Sequence, residues 1–479
     1  MSSNATLTTP SELVPINAGD TSWVLMSTAG VFVMTVGLGF FYSGLARAKH
    51  ALSLLFLMMV SIAVVSVQWW LWGFSLTFSP TGSAFIGNLD YVFARNLGSV
   101  PHPNAPTIPG AAYFLFQCMF AIITPALAFG ATAERMRLFP ALAFLFVWST
   151  VVYDIITYWV WAPKGWLLGM GLMDYAGGTP VHMSSGVAAV AYAIVLGKRR
   201  DYADLLHAPC PHNVTFVYLG TALLWFGWLF FNGGSAVAAN ARAAQAIINS
   251  HLAACVGGII WVIMDYRHAR KLTLIGFCTG VVAGLATITP GSGFVSSSSS
   301  LVFGLIGGGL CNLVVNYKRH LRFDDALDVF AVHYVGGLIG LVLTGIFAQR
   351  SVISLSYPSD TPWEQIPEGG WLDGRWVAVP VQLLAIVSVS GWSFFITFAL
   401  LKGLNYIPGM HLRVSEEDEE MGTDLSEMGE VAYGFLHPDA SSGASSDWGS
   451  AAAKQSLVVS GDTIRPMELE PTPSSSSTR

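Results

Sequence analysis

Residues 23–46 read WVLMSTAGVFVMTVGLGFFYSGLA, an unbroken run without a charged side chain, and Arg47 and Lys49 follow at once. A helix rises 1.5 Å per residue, so about 20 such positions cross the ~30 Å hydrocarbon core of a bilayer. The pattern recurs, and apolar runs closed by charges or turn formers predict spans at 23–43, 51–78, 113–133, 138–161, 179–197, 213–235, 249–266, 272–290, 298–317, 328–349 and 376–404. Composition agrees: 53% of the 479 residues are hydrophobic and only 11% charged, too few ionic groups to clothe a soluble globule of that size. The expected fold is an all-α polytopic membrane protein of eleven transmembrane helices; strands are not expected, because a membrane barrel would show alternating segments of about ten residues.

The end of the opening run, FFYSGLA at 40–46, is echoed by FFNGGSA at 230–236, at the ends of spans 1 and 6. Span 6 runs opposite to span 1, being five spans further on, so the copies point in opposite directions through the membrane. This predicts inverted repeats, spans 1–5 and 6–10, with span 11 outside them and a transport site near their interface. Short Gly-rich helix ends also resemble one another by chance.

Lys and Arg set the orientation. Fifteen lie in alternate loops from Arg47 to Arg413, and five (Arg95, Lys164, Arg242, Arg350 and Arg375) lie on the other side. The expectation is a plasma-membrane protein with an extracellular N-terminus, residues 1–22, and a cytosolic C-terminus. No basic stretch followed by a cleavable core opens the chain, so span 1 should be retained. Asn4-Ala5-Thr6 is then a glycosylation acceptor on the outside, whereas Asn213-Val214-Thr215 faces the cytosol. Cys118, Cys255, Cys278 and Cys311 fall in spans and Cys210 in a cytosolic loop, which leaves no disulfide framework. After residue 413 the membrane domain, 23–413, gives way to an acidic segment, 414–435, with enough apolar residues to dock on the inner face. A Ser-rich tail, 436–479, reads as disordered.

Ionisable side chains inside apolar spans raise a functional question. His182 in span 5 and His333 in span 10 sit at similar depths in the last helix of each repeat. A neutral imidazole offers one donor and one acceptor, so a facing pair can bind a small amine or relay a proton. A lone histidine of this kind equally serves packing. Metal binding competes, since Asp174 and Asp328 precede the histidines, but two imidazoles without HExxH or paired Cys make a poor cage. Neither GxSxG nor a P-loop is present, so no enzyme motif and no cofactor site is expected. Trp161, Phe116, Phe120, Trp228 and Phe231 could form a cation-binding cup and an apolar constriction, or serve as interfacial anchors. Asp154, in the middle of span 4, has no assigned role.

The segment DYAGGTPVH at 174–182 followed by MSSGVAA resembles the signature of the ammonium transporter (Amt/Mep/Rh) family. So do FQCMFAIITPALAFGATAER at 116–135, GWLFFNGGSA at 227–236, DVFAVHYVGGLIGLVLTGIF at 328–347 and GLGFFYSGLARAK at 37–49. EEDEEMGTD at 416–424 resembles the fungal permeases, and the histidine at 182 those of the high-affinity type. The resemblance implies a homotrimer with a pore in each subunit, carrying ammonium or methylammonium. By motif, Trp161 and Ser235 would form the outer site beside Phe116, supported by Asp174. Phe120 and Phe231 would be the gate, and His182 and His333 the twin histidines, with Asp328 and Trp228 supporting. A one-residue insertion between Trp161 and Asp174 makes Trp166 a rival for the outer position. The implied partners are the substrate, the lipid bilayer, sister subunits and a cytosolic kinase or other regulator at the tail; no nucleic acid is among them. A sensor that binds ammonium at the same site is the competing function.

Overall fold

The computed structural model describes residues 15–203 and 211–436. Asn4, Cys210 and the tail beyond Leu436 lie outside the described residues. The described residues up to Ala432 belong to one compact unit, and the second unit is described from Tyr433 to the turn Gly434–Leu436.

Among the described residues eleven apolar helices follow in order: α1 Ala18–Leu45, α2 Ala48–Phe78, α3 Gly110–Thr132, α4 Leu138–Gly169, α5 Gly178–Leu196, α6 Val214–Gly234, α7 Ala241–Ala269, α8 Leu274–Ile288, α9 Ser297–Tyr317, α10 Phe330–Phe347 and α11 Ala378–Tyr406. Ten are long and apolar enough to cross a membrane, and α8, with 15 residues, is shorter. At ~1.5 Å per residue α8 covers about 22 Å, less than a full hydrocarbon core. Several helices outrun the predicted spans. α7 begins at Ala241 rather than 249, because Asn240 caps it by accepting from the Ala243 amide.

One departure from the all-α expectation lies between α2 and α3, where β1 Pro101–His102 pairs antiparallel with β2 Ala105–Pro109. The hairpin is anchored by His102, whose ring stacks on Tyr113 at 5.0 Å and whose Nε2 is 2.9 Å from the Phe78 carbonyl.

α1 and α6 cross in antiparallel register. A Cβ on Gly30 would meet Phe230, one on Gly37 would meet Leu223 and Leu224, and one on Gly44 would meet Val217. The backbones approach so closely that a Cβ on Gly220 would collide with the Phe41 nitrogen, the small-residue packing that membrane helices use in place of a hydrophobic driving force. Away from such contacts the bundle is apolar outward, as at Val387 and Phe395 of α11, each 70% exposed.

Four membrane helices carry a π-turn: Trp69–Gly73 in α2, Ser149–Tyr153 in α4, Gly178–Met183 opening α5 and Phe330–Val335 opening α10. Each widens the helix by one residue and re-aims nearby side chains.

The face rich in Lys and Arg is tied by ion pairs. Glu134 bridges Arg47 at 2.7 Å and Arg199 at 3.0 Å, and Arg199 continues to Asp324 at 2.8 Å. Burial alone would raise both carboxyls, but the surrounding guanidiniums hold Glu134 and Asp324 below the usual carboxylate range. Against this face lies α12, Glu416–Met421, and the turn after it. Asp424 accepts from the Leu52 and Ser53 amides at the start of α2, and Glu427 from the Leu138 amide at the start of α4.

Candidate functional site

Asp174 is nearly fully buried, and its carboxylate is saturated by the first turn of α5. Oδ1 accepts from the Gly177 and Gly178 amides at 2.9 and 2.7 Å, and Oδ2 from the Thr179 amide and hydroxyl at 2.6 and 2.5 Å. Gly177 makes this turn possible with φ +112°, a conformation that a Cβ would strain. The Asp174 carbonyl also accepts from Trp161 Nε1 at 2.9 Å. One residue thus fixes both the entry of α5 and the indole at the end of α4.

That indole meets Phe120 edge-on, with centroids 6.0 Å apart, whereas Trp166 packs on Trp159 at 5.7 Å. The geometry therefore brings Trp161, not Trp166, to the aromatic group. Phe116 packs on Phe120 at 5.0 Å, and Ser235 caps the end of α6 by donating to the Phe231 carbonyl at 2.8 Å. Phe120 and Phe231 are stacked with centroids 4.0 Å apart, and both are completely buried.

Beneath the stack, the His182 ring is 6.3 Å from Phe231 and lies flat against Trp228 at 5.3 Å. Trp228 is held by its bond to Thr289 Oγ1 at 2.9 Å. The π-turns of α5 and α10 bring His182 and His333 together, with Nδ1 atoms 3.2 Å apart. One nitrogen must donate and the other accept, so a neutral pair shares a single proton along that contact. Among the described residues His182 Nε2 has no hydrogen-bond partner.

A narrow cavity of about 80 Å³ begins at Phe231, Trp228 and the two histidines and continues past Leu38, Leu127 and Val332 to Leu45 and Asp328. From Met34 to Leu45 its α1 wall runs eleven residues, about 16 Å of helix. Its far end is polar. Asp328, at φ +63°, pairs with Lys318 at 2.8 Å, and the buried neighbour Asp325 accepts from the Phe330 amide at the start of α10.

Of the residues expected from the sequence, Trp161, Phe116, Phe120, Phe231, Ser235, Trp228, His182, His333 and Asp174 converge on one axis, and Asp328 stands at its far end. Sequence reasoning missed the α1 wall, Met34, Leu38 and Tyr42, and Thr279 of α8. The FFYSGLA echo was the available signal for α1, since its partner copy carries Phe231.

The model of the family described as Ammonium Transporter Family matches residues 22–433. Ammonium transporter 1 of Schizosaccharomyces pombe is 49% identical, covering 87% of this chain and 82% of its own. Ammonium transporter MEP2 of Saccharomyces cerevisiae is 45% identical over 86% of this chain and 82% of its own. The crystal structure of Saccharomyces cerevisiae Mep2 superposes with a TM-score of 0.78 at 43% identity, over 84% of this chain and 88% of that one.

Proposed function

We propose, from the premise that the chain belongs to the Ammonium Transporter Family, that it carries ammonium along the axis from Trp161 to Asp328. Ammonium transport is the coarse function. The finer reading is a sequence of steps in which the cation is held at Trp161, Phe116 and Ser235, loses a proton, and passes Phe120 and Phe231 as ammonia to the paired histidines.

The observation that carries this reading is the order of chemistries along one line: a stack closed at 4.0 Å, then paired imidazoles at 3.2 Å, then an elongated cavity. An aromatic face stabilises a cation by roughly 0.5–2 kcal/mol. The apolar stack below offers no ligand to a hydrated ion, whereas a neutral ammonia can hydrogen-bond to an imidazole nitrogen. Potassium has similar size but can neither lose a proton nor donate a hydrogen bond. Asp174 acts as a support in this scheme, because all four of its accepted bonds come from protein.

The topology follows as part of the proposal. Eleven helices cross a plasma membrane, the basic face is cytosolic, spans 1–5 and 6–10 form inverted repeats, and three subunits assemble, each with its own axis. The acidic segment docks on the inner face, where a kinase or other regulator would act, and Asn4 carries glycan outside.

The test is ammonium-evoked current and methylammonium uptake, measured together in cells without other ammonium permeases. Wild type should show saturable uptake that potassium does not inhibit. His182→Ala and His333→Ala should each lose most selective uptake, since either leaves a buried imidazole without its partner. Unchanged uptake and selectivity in both variants would reduce the histidines to packing residues. Absence of uptake by surface-resident wild type would favour the sensor reading.

A further inference from the structure

Away from the transport axis, α2, α3 and α4 enclose a second polar group. Gln68 Nε2 donates to Asp154 Oδ2 at 2.7 Å and to Thr150 Oγ1 at 3.0 Å. The carboxyl is completely buried inside α4, and among the described residues no Lys, Arg or His is bonded to it. Among the described residues, Gln68 Oε1 and Asp154 Oδ1 are buried here without a well-aligned hydrogen-bond partner, and the Thr77 hydroxyl is the neighbour that interacts with the Asp154 carboxyl. An unsatisfied buried polar atom costs about 1–3 kcal/mol, and an unpaired carboxylate inside a membrane span costs more.

Two acceptors, Asp154 Oδ1 and Gln68 Oε1, are thus left beside a bond that already uses both amide hydrogens. The Thr77 hydroxyl can serve one of them, and the other still lacks a donor. A proton on Asp154 supplies it and removes the charge, and it needs no cavity.

The backbone marks the same place independently. Of the four π-turns in the membrane helices, two carry His182 and His333. The other two, Trp69–Gly73 and Ser149–Tyr153, begin immediately after Gln68 and end immediately before Asp154. π-turns occur frequently at functional sites.

We infer that Asp154 and Gln68 form a proton-binding site within the membrane span, separate from the histidine pair and exchanging with the outer aromatic cup. Polar side chains lead from it that way. Thr157 and Trp161 lie three and seven residues further along α4, the latter about 10 Å of helix away. Asn104 donates to the Trp161 carbonyl at 2.9 Å and reaches Tyr113 OH at 3.3 Å. The titratable groups that interact with the site are Tyr153 on its own helix and Tyr113 and Cys118 on α3, while α2 contributes the neutral Gln68 and Thr77. Exchange breaks one O–H bond on Asp154 and forms one on a water molecule at the outer mouth, or the reverse, so no electrons move. The binding of the proton stands by itself; its use during transport rests on the ammonium reading.

Two measurements test this on the full-length protein. Infrared spectra of purified wild type should contain the C=O stretch of a protonated carboxylic acid that Asp154→Asn removes and Gln68→Leu shifts in frequency. In proteoliposomes, Asp154→Asn should keep methylammonium uptake while the charge moved per substrate falls several-fold. A wild-type spectrum without such a band overturns the site, as does a band indifferent to both variants. An unchanged charge ratio in Asp154→Asn overturns its coupling to transport. If Asp154→Asn does not fold, the Gln68→Leu spectrum decides. If wild type moves no ammonium, the transport reading fails while the infrared result still stands.

Discussion

At the scale of single residues, Asp174 separates what charge does from what shape does. Its four accepted bonds make it the cap of α5 and the anchor of Trp161. Asp174→Ala frees three amides and a hydroxyl in a buried place, at roughly 1–3 kcal/mol for each left unsatisfied. Asp174→Asn keeps the outline but turns an NH2 group towards donors that expect an acceptor, so it should recover little. Both variants should lose ammonium uptake, with thermal unfolding of the purified protein shifted downward. A variant that unfolds like wild type yet fails to transport would return the weight to the charge; normal transport by Asp174→Ala would remove Asp174 from the site. The outer tryptophan shows how far residues can be read from sequence. Motif spacing favoured Trp161 but left Trp166 as a rival, and the indole bond to the Asp174 carbonyl and the contact with Phe120 distinguish them, because spacing says nothing about which way a ring turns.

At the scale of elements, the helices were legible and their irregularities were not. An apolar run announces a span because the bilayer imposes both its length and its composition, and the paired histidines could be placed at matching depths by helical rise. The π-turns that aim them left no trace in the hydropathy pattern, since one extra residue in a turn alters neither length nor polarity visibly. The hairpin at 101–109 was hidden for the opposite reason: it is too short for periodicity to declare. The tail segment makes its own prediction. Asp424 supplies acceptors to two amides at the start of α2, and burial raises its carboxyl although those amide bonds oppose it. Asp424→Ala should therefore cost about 0.5–2 kcal/mol, the range for losing a helix cap, and should expose the acidic segment to protease. Digestion of the purified protein at the wild-type rate would show that the segment is not held by that cap.

At the scale of the whole molecule, the basic face binds the ends of α1, α3, α5 and α10 through Arg47, Glu134, Arg199 and Asp324, and its carboxyls titrate in opposite senses. Glu134 and Asp324 are held low by their arginines, against burial, so the stability they contribute is present above the ordinary carboxylate value near ~4 and lost as pH falls below it. Asp325 is raised to about 6, by burial first and by neighbouring Asp328 second. Its native form keeps a proton that the unfolded chain has already released, so stability falls as pH rises between ~4 and about 6. Thermal midpoints across that interval should decline for wild type and stay flatter for Asp325→Asn, with a gain of about 1–3 kcal/mol for the variant at neutral pH. Equal slopes would place the protonation elsewhere. A last consequence comes from the two phenyl rings at 4.0 Å. Rings in van der Waals contact leave no gap for even a single file of solvent, so the path behaves as a valve that must yield once for each molecule. Vesicles containing the protein should therefore swell under an osmotic gradient no faster than empty ones, even while they take up ammonium, and the temperature dependence of that uptake should report the opening of the rings.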